Sequence, residues 1–316
     1  MSKNNNLHSA KKAKNDEFYT RITDVEKELK YYKDFFKGKK VLCNCNDGTI
    51  DGVWSAFAQY FSMNFEHLGL KKLTCVSYNE DGHGMKYVYE GDKNGNRIAD
   101  DFEWEVTELK GHGDFSDEEG CKMMQECDVV VTNPPFSLFR DFVAQLVKYG
   151  KKFLIIGNNN AITYKEIFPL IKDNKLWVGI STFNNGMYFG IPNEYEYQDT
   201  YKFKREIDGK RVMRVASICW FTNISHSKRN LPLDLYKKYN SKDYPKYDNY
   251  DAINVDKVTD IPMDYDGVMG VPITFLDKYC PTQFEIVKFR KGDDDKDLYI
   301  SGHNPIYFRI LIRKIK

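Results

Sequence analysis

The chain has 316 residues, of which 41% are hydrophobic and 15% aromatic, enough for a large core or for two unequal domains. No stretch approaches the roughly 20 apolar residues of a membrane-spanning helix, and the polar start is unlike a signal peptide. The net charge of +1 does not indicate a nucleic-acid partner. Seven cysteines, an odd number without metal-ligand spacing, predict reduced thiols and a cytoplasmic protein.

Both ends of the chain are basic. Residues 1–15 are predicted to be a flexible segment whose lysines, Lys11 and Lys12 among them, are not balanced by acids before residue 16. The last twelve residues carry Arg309, Arg313, Lys314 and Lys316 and no acid. Such ends are typical either of simple solubility or of contacts to phosphates, and the sequence leaves both interpretations open.

The first elements follow from apolar spacing. Thr23 and Glu26 have the spacing of a capping box before a helix whose apolar face ends near Gly38. That face is formed by Val25, Leu29, Tyr32 and Phe36. The spacing then predicts a strand over 40–45, a helix over 53–61, a strand over 73–78, and an inserted hairpin over 85–106 around Asn94-Gly95.

The most informative run begins at Asp128, where the apolar sequence Val-Val-Val-Thr leads into Asn133-Pro134-Pro135-Phe136. Proline lacks an N–H and fixes its own φ, so this loop is stiff. It holds one carboxamide, one or two carbonyl oxygens and one aromatic face, a combination that suits a planar base with an exocyclic amine. The alternative is an ordinary strand-ending turn.

The elements around this loop predict a parallel α/β sheet. Ser137 is suited to cap a helix with an apolar face that includes Phe139, Phe142 and Val147, and Gly150 ends it before a buried strand over 151–157. Strand, loop, helix and strand make one βαβ unit, and ligands of such sheets lie beyond the carboxyl ends of the strands. Short antiparallel strands over 176–222 are expected to finish the sheet, and a loop-rich segment follows from residue 226.

The ordered motifs resemble the EcoRI-type adenine-N6 DNA methyltransferases. They begin with Asp16-Glu17-Phe18-Tyr19-Thr20 and the strand that ends Cys43-Asn44-Cys45-Asn46-Asp47. Gly113-Asp114-Phe115, the Asn-Pro-Pro-Phe loop, Trp220-Phe221-Thr222-Asn223 and residues 275–285 follow in order. The resemblance covers nearly the whole chain.

This resemblance implies an α/β fold with a Rossmann-like, doubly wound sheet, mostly parallel with one antiparallel strand. It implies a catalytic domain over 16–225 that binds S-adenosylmethionine and releases S-adenosylhomocysteine, and a smaller loop-rich target-recognition region over 226–316. It further implies methylation of a flipped adenine at a short site in double-stranded DNA, for which an A/T-centred palindrome is a guess. A restriction endonuclease acting on the same site can accompany such an enzyme without a stable complex, and a monomer is compatible with the sequence.

The resemblance also implies roles for particular residues. Asn133 and Pro134 would accept hydrogen bonds from the adenine amine, Pro135 would stiffen the loop, and Phe136 would stack on the base; Trp220 and Phe221 would form a second wall, unless they are a buried strand end. The cofactor-binding candidates are Phe18, Tyr19, Thr20, Asn44, Asn46, Asp47, Tyr78, Asn79, Asp114 and Phe115. The sequence after the first strand, Asp47-Gly48-Thr49, lacks the Gly-x-Gly of the common methyltransferase pattern, so individual contacts stay open.

DNA contacts are expected from loop residues near the site and from the basic start of the chain. The candidates are Asn184, Asn185, Lys228, Arg229, Lys11 and Lys12. No metal site is expected. Two alternatives remain: methylation of RNA adenine or of a protein glutamine amide, and a non-catalytic DNA-binding protein on a methyltransferase scaffold.

Overall fold

The structure, a computed structural model, describes residues 19–50, 52–181, 183, 185–190, 204–207, 209–305 and 307–315. The chain divides into two compact units, the first comprising the described residues up to 161 together with 179–224, and the second comprising 162–178 and 225–316. None of the described helices is both long enough and apolar enough to cross a membrane.

The bounds of the regular elements are as follows. The α-helices are α1 (Ile22–Leu29), α2 (Lys33–Phe36), α3 (Ala56–Met63), α4 (Phe65–Leu68), α5 (Glu118–Glu126), α6 (Phe139–Lys148) and α7 (Phe168–Lys172). The strands up to residue 178 are β1 (Lys40–Cys43), β2 (Thr49–Ile50), β3 (Val53–Trp54), β4 (Lys72–Ser77), β5 (Met85–Tyr89), β6 (Glu105–Glu108), β7 (Val129–Thr132), β8 (Lys152–Asn158) and β9 (Trp177–Val178). They are followed by β10 (Met187–Gly190), β11 (Lys204–Ile207), β12 (Lys210–Val215), β13 (Ile218–Thr222), β14 (Ala252–Asn254), β15 (Val268–Pro272), β16 (Phe284–Phe289) and β17 (Arg309–Lys314).

Seven strands of the first unit form its main sheet, in the order β6-β5-β4-β1-β7-β8-β13. The pairs β4/β1, β1/β7 and β7/β8 are parallel, whereas β5 and β13 run against their neighbours. The prediction of a mainly parallel α/β sheet is therefore confirmed. The expected single antiparallel strand is wrong, because β5 of the predicted 85–106 hairpin also runs against its neighbours. The hairpin itself is confirmed, since β5 and β6 pair antiparallel.

Helices cover both faces of this sheet, as a doubly wound arrangement requires. On one face Trp220 of β13 lies edge-on to Phe57 of α3, with ring centroids 6.2 Å apart. On the other face the neighbouring Phe221 packs on Phe139 of α6 at 5.1 Å. Successive side chains of a strand point to opposite faces, so this pair of contacts shows two buried layers.

The starts of two helices and one face of α6 differ from the sequence predictions. Helix α1 begins at Ile22 with Arg21 as a cap that makes no side-chain hydrogen bond, so Thr23 and Glu26 lie inside the helix and form no capping box. Ser137 lies in a short 3-10 helix, Phe136–Leu138, and does not cap α6. Val147, expected on the apolar face of α6, is 45% exposed.

The strands after residue 186 do not all finish the main sheet. Of the described strands in this part of the chain, β13 joins it, whereas β10, β12 and β11 form a separate three-stranded antiparallel sheet. The second unit contains a four-stranded sheet in the order β14-β15-β17-β16, with β14 parallel to β15 and the other pairs antiparallel. This sheet was not predicted, because its strands are short and are separated by loops of irregular sequence.

Candidate active site at the carboxyl ends of the parallel strands

The Asn-Pro-Pro-Phe loop begins where β7 ends. All four residues of β7 are buried, and Asn133 follows directly at the carboxyl edge of the sheet. Asn133 and Phe136 are half-buried, Pro134 is buried and Pro135 is exposed. Leu138 N–H donates to the Pro135 carbonyl at 2.9 Å, which closes the turn into the 3-10 helix. The loop is therefore fixed at both ends. The side-chain oxygen of Asn133 is buried, while other parts of the Asn133 and Phe136 side chains stay accessible.

The segment after β1 folds against the end of β4. Asn46 has a left-handed backbone (φ 59°), and its side-chain oxygen accepts a hydrogen bond from Tyr78 N–H at 3.2 Å. Asp47 N–H donates to the Val76 carbonyl at 2.8 Å. These bonds bring the predicted cofactor residues of two strands to one edge, as parallel neighbours require.

Asp47 is the most buried acid at this edge of the sheet. Its side chain is 4% exposed, and its carboxylate accepts hydrogen bonds from the Thr132 hydroxyl and from Cys45 N–H, the latter at 3.2 Å. Burial raises the pKa of Asp47 to about 7, and the Thr132 bond partly opposes that rise. Thr132 immediately precedes Asn133, so Asp47 connects the segment after β1 directly to the predicted catalytic loop.

The third part of the site is the loop that contains Asp114. Asn79 N–H donates to the His112 carbonyl at 2.9 Å, which places this loop beside the end of β4. Gly113 has φ 82°, and a Cβ there would lie 2.7 Å from the Ser77 carbonyl oxygen, so no larger residue fits. Asp114 accepts hydrogen bonds from the Ser116 backbone and hydroxyl at 2.7 and 2.6 Å.

Two acids face one thiol in this region. Burial first, and then the charges of Asp47 and Asp114, raise the pKa of Cys45 well above its usual value. Two carboxylates at one edge create a negative environment that favours a cationic ligand. Asn44 adds a donor: its side chain is 3% exposed, and its amide nitrogen has no acceptor among the described residues.

The remaining predicted cofactor residues have contacts of their own. Tyr19 pairs with Gly190 of β10 through two backbone hydrogen bonds of 3.1 and 2.8 Å, and Thr20 follows it, half-buried. Phe115 is buried with its ring edge-on to Phe142 of α6 at 4.8 Å. Phe18 lies outside the described residues.

The predicted second wall of the base pocket is part of the core. Trp220 and Phe221 are both 0% exposed, in register with Ile156 and Ile155 of β8. Their rings pack on the two faces of the sheet, as described above. The structure therefore gives these two residues a packing role in place of the predicted role as a pocket wall.

The predicted DNA-contacting residues have different surroundings. Asn185 is exposed, and its carbonyl accepts a hydrogen bond from Arg214 at 2.7 Å. Lys228 forms an ion pair with Asp277 at 2.6 Å. Arg229 is 8% exposed, with its guanidinium 3.9 Å from the Trp177 ring centroid, so it has a packing role within the second unit. Lys11, Lys12 and Asn184 lie outside the described residues.

Sequence reasoning missed Glu28, a fully buried carboxylate. It accepts hydrogen bonds from the Tyr32 hydroxyl (2.9 Å), from the backbone of Ile180 (2.8 Å) and Ser181 (2.7 Å), and from the Ser181 hydroxyl (2.5 Å). An acid beside Val25 and Leu29, on the apolar face of α1, was the available signal. Among the described residues, no group of three or more His, Cys, Asp or Glu side chains is arranged to hold a metal ion.

Comparisons with known proteins give matches over nearly the whole chain. The sequence model of the family described as "Adenine-specific methyltransferase EcoRI" matches residues 6–314. The chain is 48% identical to the Type II methyltransferase M.EcoRI of Escherichia coli over 97% of this chain and 95% of that protein. It is 43% identical to M.MgeORF184P of Mycoplasma genitalium and 42% identical to M.MpnI of Mycoplasma pneumoniae, each over 89% of this chain and 85% and 84% of those proteins. No solved structure matches it significantly.

Proposed function

This chain belongs to the EcoRI family of adenine-specific methyltransferases and is a DNA methyltransferase, and on that premise we propose how its site works. The observation that carries the proposal is the position of Asn133-Pro134-Pro135-Phe136 at the end of β7, next to the acids Asp47 and Asp114. We propose that this edge binds an adenine that has left the duplex and methylates its N6 amine. The Type II designation of the relatives supports a short specific site as the target.

The Asn133 carboxamide oxygen and the Pro134 carbonyl oxygen accept the two N–H bonds of the adenine amine. N6 is a weak nucleophile because its lone pair is delocalised into the ring. Two acceptors draw the nitrogen toward a tetrahedral geometry and stabilise the positive charge that develops on it. Phe136, half-buried at the start of the 3-10 helix, offers an aromatic face that offsets the few kcal/mol lost when the base unstacks.

The residues present fit S-adenosylmethionine, the general methyl donor of methyltransferases. When bound, that cofactor supplies a methyl group on a sulfonium and carries a cationic amino group. The buried Asp47 carboxylate suits one of these positive charges, and Asp114 suits an amine donor of the adenine ring. The Asn44 amide, buried without an acceptor among the described residues, suits an oxygen of the cofactor. Asn46, Tyr78 and Asn79 lie at the same edge, and Phe115 follows Asp114 directly, so these residues are proposed to contact the cofactor as well. Tyr19 and Thr20 are proposed to close over it, on the resemblance alone.

Target recognition is assigned to residues outside this edge. Asn185 is the exposed candidate of the first unit, and we propose that it and the second unit, 162–178 and 225–316, contact double-stranded DNA. Because Arg229 is buried and Lys228 is paired with Asp277, other basic residues of that unit are expected to contribute most of the salt-dependent affinity. We further propose that the enzyme, bacterial or phage-encoded, acts in the cytoplasm, where an endonuclease acting on the same site can accompany it.

A methyl-transfer assay tests the proposal. Purified protein is incubated with tritiated S-adenosylmethionine and with duplex DNA, RNA or protein in parallel, and the modified base is identified after digestion. We expect label in DNA, as N6-methyladenine at one short sequence. Label in RNA or protein alone would support the alternative substrates, and no transfer to any of them would support the non-catalytic alternative.

A further inference from the structure

Thr132 is the last residue of β7 and directly precedes Asn133. Its side chain is 0% exposed, and its hydroxyl donates a hydrogen bond to the Asp47 carboxylate, 85 residues earlier in the sequence. Asp47 is itself fixed through its backbone, because its N–H donates to the Val76 carbonyl at 2.8 Å and its carbonyl accepts from the Ser55 hydroxyl at 2.8 Å. One buried bond therefore joins two strand ends of the site.

Resting on the proposed function, we propose that Thr132 is a positioning residue for methyl transfer. Its hydroxyl keeps the catalytic loop and the cofactor-binding segment after β1 in a fixed position relative to each other. The bond is well placed for this, since only one backbone step separates Thr132 from Asn133 on one side, and the other partner is the proposed cofactor-binding acid itself.

The chemistry of the pair explains why a hydroxyl is needed. The Asp47 carboxylate has two hydrogen-bond donors among the described residues, Thr132 Oγ1 and Cys45 N–H, and both reach the same oxygen, Oδ2. Hydrogen bonds to a charged acceptor away from water are stronger than neutral ones. Without the hydroxyl, the carboxylate keeps one backbone donor and is free to turn, and a misplacement of about 1 Å between reacting groups can cost about 100-fold in rate.

The same contact predicts a change that a purely structural role would not produce. The Thr132 bond lowers the pKa of Asp47, which burial raises. Removing the bond raises that pKa further, so the ionised carboxylate forms only at higher pH. Among the described residues, the titratable groups that interact with Asp47 are the thiols of Cys43 and Cys45, and the charge of Asp114 acts on Cys45 in turn. The pKa values of both thiols are raised well above the usual value, first by burial, so the thiols stay neutral over this range.

Two matched pairs of variants isolate the hydroxyl. Wild type and Thr132→Val have side chains of similar shape, whereas Thr132→Ser and Thr132→Ala differ from each other by one hydroxyl alone. We expect kcat for DNA methylation to fall at least about 10-fold in Thr132→Val and Thr132→Ala. In Thr132→Ser it should stay within about 3-fold of the wild-type value. In a plot of kcat against pH, the acid limb, where kcat falls as the pH decreases, should move to higher pH in Thr132→Val and Thr132→Ala but not in Thr132→Ser.

The outcomes are distinguishable. A wild-type kcat with an unmoved acid limb in Thr132→Val or Thr132→Ala would overturn the positioning role. Equal losses of kcat in Thr132→Ser and Thr132→Ala would also overturn it, because they would indicate that packing alone matters. If Thr132→Val does not fold, the Ser and Ala pair decides. A wild-type protein that methylates no DNA would overturn the proposed function and this role with it, whereas an active wild type with fully active variants would overturn only the role of Thr132.

Discussion

Replacing Glu28 with glutamine should destabilise the first unit by about 2 kcal/mol. Glu28 is 0% exposed, and its two oxygens accept four hydrogen bonds from Tyr32, Ile180 and Ser181. Glutamine keeps the shape but exchanges one acceptor oxygen for an NH2 group. Whichever way the amide is turned, its NH2 group therefore lies opposite at least one backbone N–H, and two donors cannot form a hydrogen bond with each other.

The magnitude follows from the four donors. The hydroxyls of Tyr32 and Ser181 can rotate to accept from the new NH2, but the N–H of Ile180 or of Ser181 cannot, and one of the two loses its acceptor. A buried polar group left without a partner costs about 1–3 kcal/mol. Burial also raises the pKa of Glu28, which shows that the carboxylate is costly to desolvate, and the neutral amide recovers part of that cost.

Urea unfolding at constant pH, followed by circular dichroism, measures the change. Glu26→Gln on the exposed side of α1 is the matched control, with an expected effect within about 0.5 kcal/mol. Hydrogen exchange locates the effect, since the Ile180 or Ser181 amide should exchange faster in Glu28→Gln. Equal stability of the two variants, with unchanged exchange at both amides, would refute the reasoning.

Three further predictions concern the site. Asn133→Ala should leave cofactor affinity nearly unchanged and lower kcat at least about 100-fold, because it removes an acceptor for the charge that develops on N6; wild-type turnover would contradict this. Asp114→Ala should weaken cofactor binding about 10-fold or more by calorimetry, the effect of one hydrogen bond to a charged group, and an unchanged Kd would count against it. Burial raises the pKa of Asp47 to about 7, above its unfolded value, so the wild-type free energy of unfolding should decrease as pH rises from about 4 to 7. The limit is about 4 kcal/mol at about 1.4 kcal/mol per unit. Asp47→Asn should remove the Asp47 share of this slope and leave the share of other buried acids such as Glu28, whereas exposed Asp34→Asn should keep the wild-type slope; an unchanged slope in Asp47→Asn would contradict the raised pKa of Asp47.

Local sequence signals predicted the frame of the site well. The buried run before Asn133 and the apolar run over 73–78 indicated β7 and β4, because a short β-rich segment bounded by turn residues has few alternatives. The face of α1 that carries Val25 and Leu29 was also predicted, and both residues are fully buried. These features depend on neighbours close in sequence.

The remaining features depend on contacts between distant residues. The bond from Thr132 to Asp47 spans 85 residues, and those from Ile180 and Ser181 to Glu28 span 152 and 153. No local pattern indicates such partners. Arg229 illustrates the opposite error, since a basic residue in a polar segment indicated a DNA contact, but its guanidinium lies over Trp177 in the second unit.

The outer strand β6 bears on whether two copies of this protein can pair through their main sheets. Its four residues, Glu105–Glu108, are all exposed, and its far side carries no neighbouring strand among the described parts of the main sheet. An edge strand presents backbone N–H and C=O groups that can pair with a strand of another chain. When two copies of β6 pair in full register, parallel or antiparallel, a glutamate lies opposite a glutamate at each end, and these like charges disfavour the pairing. The hairpin formed by β5 and β6 thus widens the main sheet and gives it an edge strand that carries charged residues.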